Sequence, residues 1–476
     1  ESSPVGVGLT EDLIGRLSRV PELDVVSRNG ARTVRDEGMT FEEAAEFLDV
    51  GTVLSGDVRR SGDEFVVNVQ LRTRDDIRLA SVSARGSANE LLTLQDELAA
   101  QVEEEIRTAM GAEIRLRESR SAAPNNGAWL AVARGERAIQ AATAAAGRQD
   151  AQAAMQALAE ADASFEEAIR VGDQWAHPWA LRAQVAYEES YLAHSMEDLN
   201  ASLLETMAMA EEALGRDPTN ALALYLRGTA RYRRFLFGLA HDEDAEALLR
   251  SVEEDLESAQ TLDRTMAEVP STLSHLYYQR GDVSSAAVAA QQAYERDAFL
   301  QSADGVLRRL FDTNYDLENA DRARDWCLEG NRRFPDDYAF VECQLMLMTM
   351  NGIEPDVTRA WTLRDSVVAL APADQEYLGA FATQNVAGII ARAGLADSAS
   401  AVMTGARVGT DVDPEMELLT VEAAMRLLNG ENDEALALLQ RYSAVNPGHF
   451  SAGRSLNWRW RPLQGNPDFE RLRRLN

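Results

Sequence analysis

The chain has 476 residues, 45% of them hydrophobic, which is enough for a packed core and too long for one ordinary domain. Its 78 acidic residues outnumber 47 basic ones, for a net charge of −31, and all 47 are arginine. Such a surface repels phosphate backbones and anionic headgroups, which excludes sequence-independent nucleic-acid binding and direct membrane association as first readings.

Arginine in place of lysine fits a GC-rich genome, and enrichment in Asp and Glu fits salt adaptation. The competing explanation is an acidic surface built for a basic partner. No segment approaches the ~18 consecutive apolar residues that a membrane-spanning helix needs. The two cysteines, Cys327 and Cys343, make neither a disulfide framework nor a four-ligand zinc site, and are expected as free buried thiols on neighbouring helices. The opening Glu1-Ser-Ser-Pro4 has no initiator Met and no signal-peptide pattern, so a piece of a longer protein is expected.

In chain order, Thr10 to Val20 reads as a helix, with Leu9, Leu13, Ile14 and Leu17 on one face and Pro21 as the stop. Leu23 to Val26 reads as a short strand. Thr40 with Glu43 has the capping-box spacing and opens a helix to Leu48. Val53 to Arg60 and Glu64 to Arg72 flank a Ser61-Gly62-Asp63 turn. In the second run Phe65, Val67, Val69 and Leu71 alternate with polar residues, the signature of an antiparallel hairpin. Ile77 to Ala84 is a third strand. Asn89 to Met110 is a long helix with Leu91, Leu94, Leu98, Val102 and Ile106 as its apolar stripe.

Four segments of this unit fall in a telling order: Gly8-Leu-Thr-Glu-Asp-Leu-Ile14, Leu17-Ser-Arg-Val-Pro21, Gly56-Asp-Val-Arg-Arg-Ser-Gly-Asp63 and Leu94-Gln-Asp-Glu97. Together they resemble the TolB-like amino-terminal domain, which accompanies repeat arrays in bacterial serine/threonine kinases, nucleotide cyclases and winged-helix regulators. The resemblance covers nearly all of residues 1–118. It implies a small α/β fold with a mixed sheet, a sensory or scaffolding role, and no catalytic residues. The family's strand before the first helix has no counterpart here.

A linker is expected over 119–126. From 127 to 447 the chain reads as amphipathic helices with internal self-similarity. Ala128-Trp-Leu-Ala-Val-Ala-Arg-Gly135 aligns with Ala176-His-Pro-Trp-Ala-Leu-Arg-Ala183 and with Ala221-Leu-Ala-Leu-Tyr-Leu-Arg-Gly228. Later copies share Gly-Asp or Asn-Gly turns followed by Ala, as at Gly281-Asp282 with Ala286 and at Asn429-Gly430 with Ala435. The pattern resembles tetratricopeptide repeats, about seven or eight of them, stacked as an all-α right-handed solenoid. The early copies have a period of roughly 45 residues instead of the usual ~34, so their helices or inner loops are extended. Residues 448–476, with Trp458, Trp460, Phe469 and Leu472, read as a lid over the last repeat.

Nothing in the sequence carries chemistry. There is no Walker loop, no His-Glu-x-x-His and no Gly-x-Ser-x-Gly, and the five histidines are scattered. Catalytic residues, cofactors and metals are therefore not expected. Placed by the repeat alignment, Glu136, Gln184, Tyr187, Tyr225, Thr229, Tyr232, His275 and Tyr278 fall on the first helices and line the candidate groove for a protein or peptide. Packing within the repeats is the competing explanation for each tyrosine. Arg134, Arg182 and Arg227 recur at one repeat position and are expected to pair with carboxylates of an adjoining helix.

The resulting expectation is a non-catalytic protein-binding and sensing module of a larger bacterial signalling protein, extracytoplasmic (periplasmic) and membrane-anchored, with a cytoplasmic location as the alternative. The alternative is a structural scaffold or self-associating subunit. A net charge of −31 makes the compact state repel itself, and salt screens that repulsion. The melting temperature is therefore expected to rise between low and molar salt, and a flat or falling curve in calorimetry would refute the self-repulsion.

Overall fold

The computed structural model describes residues 37–48, 50–61, 64–73, 78–87, 123–241, 244–264, 266–296, 303–371, 376–446 and 457–474, with 26, 30, 33 and 34. The helices expected over 10–20 and 89–110 lie outside the described residues, as does the strand at 23–26 apart from Val26. The chain divides into two compact units, Glu1–Arg182 and Ala183–Asn476, a boundary within the repeats and not at the expected linker.

In the first unit, helix α1 (Phe41–Phe47) starts as its sequence dictates. The Thr40 side chain accepts from the Glu43 amide, and the Thr40 amide donates to Glu43 Oε2 at 2.8 Å. These bonds hold the Glu43 carboxyl below its ordinary range. Strands β1 (Thr52–Ser61), β2 (Glu64–Thr73) and β3 (Arg78–Ser87) form a sheet in the order β1-β2-β3. Both pairings are antiparallel, with Val58 opposite Val67 and Val69 opposite Val82. The mixed sheet implied by the resemblance is thus antiparallel among the described strands. The period-two pattern of β2 buries Val67, Val69 and Leu71, while Asn68 on the other face reaches Asp57 and Ser83.

The repeats begin with α2 (Asn126–Gly147) and α3 (Ala151–Val171). The pairs that follow are α4 (Ala176–Glu189) with α5 (Met196–Arg216), α6 (Ala221–Leu236) with α7 (Ala245–Leu262), and α8 (Glu268–Gln279) with α9 (Val283–Arg296). Four more complete the array: α10 (Ala303–Asp316) with α11 (Ala320–Arg333), α12 (Tyr338–Met348) with α13 (Val357–Leu370), α14 (Glu376–Arg392) with α15 (Ala396–Gly405), and α16 (Leu418–Leu428) with α17 (Asn432–Val445). Among the described residues this makes eight helix pairs and no strand after residue 123. Fifty residues separate the starts of α2 and α4, against 35 for α10 and α12, so the early pairs are the extended ones.

Several boundaries have a local cause. Asn125, Asp150, Ser195, Asn220 and Asp244 are N-caps whose side chains accept from an amide three residues on. Gly281 and Gly430 turn first helices into second helices at φ 76° and 78°, backbone that a Cβ disfavours. Small residues meet large ones where helices touch. A Cβ on Gly135 would overlap the Phe165 ring, and one on Gly330 the Phe340 ring.

Cys327 on α11 and Cys343 on α12 are fully buried and joined in a disulfide, with Cα atoms 5.8 Å apart. This corrects the expectation of free thiols. The short turn between α11 and α12 folds the helices back to back, and both cysteines point into that seam. Closing a loop of this size contributes ~3 kcal/mol in the chain-entropy account. Cys343→Ser is expected to lower stability in denaturant by about that amount. A peptide map of protein alkylated at lysis should link the two cysteines, and free thiols there would remove the crosslink.

Candidate protein-binding face

The first helices touch one another directly, α8 with α10, α10 with α12, α12 with α14 and α14 with α16. Their shared side carries a chain of polar and aromatic contacts. In the second unit it starts at α4, where the Tyr187 hydroxyl meets that of Tyr191 at 3.0 Å. The Arg233 guanidinium of α6 lies 4.1 Å from the Tyr191 ring centre and 5.3 Å from that of Tyr187, and donates to Ser190 Oγ at 2.5 Å. Tyr191 is 62% exposed and Phe237, also beside Arg233, is 46% exposed.

The next steps run from α6 to α8 and α10. Tyr232 bonds His275 Nδ1 at 2.7 Å. Burial, with the nearby Arg309 cation second, lowers His275 to about 4, so the ring is neutral near pH 7. Tyr278 donates to Asp316 Oδ2 at 2.9 Å, with the Arg309 guanidinium 4.2 Å from its ring centre. Burial first, then Asp316, pushes the Tyr278 hydroxyl well above its ordinary value. Burial does the same to Tyr225, with Glu268 next, while the Thr229 and Thr272 hydroxyls act against it.

All eight residues expected in the groove thus sit on first helices, though not as an open row. Tyr187 and Tyr232 are buried with their hydroxyls bonded inside the protein. Gln184, Tyr225, His275 and Tyr278 are half-buried, and Thr229 is buried. Glu136 belongs to the first unit, where its carboxylate lies 3.9 Å from His177 Nε2. The sequence reading missed Tyr191, Arg233 and Phe237, the exposed end of the stripe. Their signal was a Tyr-x-x-x-Tyr spacing across the end of α4.

The recurring arginines pair with neighbouring helices, as expected. Arg134 meets Glu167 at 2.5 Å, Arg182 forks onto Asp162, and Arg227 forks onto Asp255. The Asp255 carboxylate, only 8% exposed, also takes Arg231. These guanidiniums serve the array and are not a ladder for acidic ligands.

The carboxy-terminal segment corrects the expectation of a simple lid. A 3-10 helix (Trp458–Leu463) and α18 (Pro467–Arg474) do cover the last pairs, with Trp460, Leu463, Phe469 and Leu472 in their core. Trp458 instead belongs to the core around α10 and α12. Its indole N–H donates to the Tyr315 carbonyl at 2.9 Å, and the two rings meet edge to face. Asp316, which ends α10, accepts from Asn457 and faces Arg459 at 3.4 Å. Glu318 takes Arg461 at 2.7 Å. Glu318 has φ 58°, the left-handed position that glycine fills in other repeat turns. The segment thus crosses back to the fifth pair.

No family model matches the sequence, and no curated protein matches it. Similar solved structures include TTC0263, a thermophilic TPR protein of Thermus thermophilus, at 14% identity over 45% of this chain and 99% of that one, TM-score 0.32. Yeast Tom70 is 13% identical over 73% and 70%, TM-score 0.35. A chain of the APC/C Cut9–Hcn1 hetero-tetramer is 14% identical over 81% and 86%, TM-score 0.33. At these identities and TM-scores the likeness carries no argument about function, and the repeat architecture rests on the eight helix pairs of this chain.

Truncating a buried Trp costs about 3–5 kcal/mol. Trp458→Ala and Trp460→Ala should each lower the melting temperature, and a melting curve left in place by both would refute the closure at the carboxy end.

Proposed function

We propose that the chain is a non-catalytic protein- or peptide-binding and sensing module of a larger bacterial signalling protein, with a TolB-like domain over residues 1–118 ahead of the repeats. The partner docks on the first-helix side of the early repeats. One observation carries this reading: Tyr191 and Phe237 stay exposed, with Arg233 between them, at the start of a contact chain that reaches α10. Exposed aromatics stacked on a guanidinium offer area and hydrogen bonds at low entropic cost, as binding surfaces do.

The buried Cys327–Cys343 disulfide supports an extracytoplasmic location, since disulfides persist in oxidising compartments. The second reading is a scaffold or self-assembling subunit. In its favour, β1 and β3 each pair with β2 alone among the described strands, and a strand edge is a template for another chain.

The test places a photo-crosslinking amino acid at Tyr191 or Phe237 and, in separate proteins, at Leu328 or Val288, exposed on second helices. In cells of the source organism the first pair should capture a common partner that the second pair does not. Equal capture from both sides would remove the first-helix face from the hypothesis.

A further inference from the structure

The first-helix side already holds one short segment, most of it a 3-10 helix, and the way it does so names the kind of partner the free end accepts. At α10 the occupant is Asn457–Arg461 of the chain itself. Tyr315 and Asp316 lie in the last turn of the helix, where carbonyls lack intrahelical partners and the dipole is negative. The Tyr315 carbonyl takes the indole N–H of Trp458. The Tyr315 ring has the Arg459 guanidinium 5.4 Å from its centre, and Asp316 is the carboxylate facing that cation. Arg461 then reaches Glu318. One Trp and two Arg are read there by a tyrosine, a carbonyl and two carboxylates, while Trp460 packs in the core of the last pairs.

The last turn of helix α4 holds a similar pair, Tyr187 followed by Glu188, with glutamate where α10 has aspartate, and the helix closes on a second acid, Glu189. Arg233 lies 5.3 Å from the Tyr187 ring centre, the place that Arg459 takes at Tyr315. The difference lies in the carboxylate. Among the described residues no donor is hydrogen-bonded to the Glu188 side chain. Its carboxyl is raised by burial, against which the Arg233 cation acts. A partly desolvated carboxylate without a donor, next to exposed Tyr191 and Phe237, is half of the arrangement seen at α10.

We infer that the partner segment is basic-aromatic, pairing a large aromatic side chain with arginine, and that it docks at the end of α4 beside the Arg233 that already covers Tyr187. This rests on the binding role proposed above and gives the partner its chemistry. The aromatic side chain stacks on Tyr191 and Phe237, and the guanidinium donates to Glu188. The chain's net charge of −31 draws such a segment in.

The probe is a labelled peptide, Asn-Trp-Arg-Trp-Arg-Pro-Leu, titrated against the full chain by fluorescence anisotropy at physiological salt. Its partner probe carries Glu in place of both Arg. The Arg peptide should bind and the Glu peptide should not. Glu188→Gln should weaken binding about tenfold or more, the scale of a lost charge-assisted hydrogen bond. Tyr191→Ala is the second variant at an exposed position, and should weaken it too. Asp316→Asn, at the internal site, should leave binding in place.

No binding of the Arg peptide would overturn the inference. So would binding that neither Glu188→Gln nor Tyr191→Ala changes, which is attraction to net charge alone, and so would binding lost only in Asp316→Asn. The crosslink at Tyr191 separates this from the binding role itself. A partner captured there through an acidic or purely apolar segment would overturn the chemistry and leave the face standing.

Discussion

No helix pair in this chain can bury its apolar side alone, and that constraint sets everything else. Burial comes only from stacking, and stacking needs backbones to approach closely at fixed positions. Gly135 against Phe165 and Gly330 against Phe340 are those approaches, each a position where one added carbon would push two helices apart. The first helices take more of this burial than the second helices in the later pairs, and in the early pairs their shared side also carries tyrosines, histidine and charge. The candidate face is a by-product of how the array packs.

Charge is arranged with the same economy. The chain is strongly acidic, yet its buried carboxylates are not left alone. Asp255 takes Arg227 and Arg231, and Glu342 takes Arg308. Glu422, 1% exposed, lies between Arg407 and Arg426. Arginine suits this use because its planar fork meets a carboxylate with two parallel bonds and holds its charge when desolvated. A buried pair of this kind specifies which helix faces which more than it adds stability, because desolvation offsets much of the attraction.

What could be read from the sequence was what is local. The capping box at Thr40, the alternation through β2 and the Gly turns are each written in a few adjacent residues, and each is found. The repeat alignment likewise placed the first helices and the arginine position. Contacts between distant segments were not legible. Nothing near Trp458 points to Tyr315, 143 residues earlier. Cys327 and Cys343 looked like two small apolar residues, because their pairing depends on the angle at which α11 meets α12. The tyrosine row was placed on the right helices and misjudged in exposure, since first helices lie close enough for Tyr232 to reach His275.

The return of the carboxy-terminal segment to α10 changes the topology of the array. In a plain stack each pair touches only its neighbours, so the last pair can peel away, then the one before it. Here Asn457, Trp458, Arg459 and Arg461 are fastened at Tyr315, Asp316 and Glu318, which puts pairs five to eight inside a closed loop. Tension applied at the carboxy end first meets the cover of the last pairs and is then passed straight to the fifth. The contacts at α10 then share the load in shear, and the four pairs they enclose give way together or not at all. A domain attached beyond residue 474 would pull on the middle of the array, at the α10 end of the candidate face.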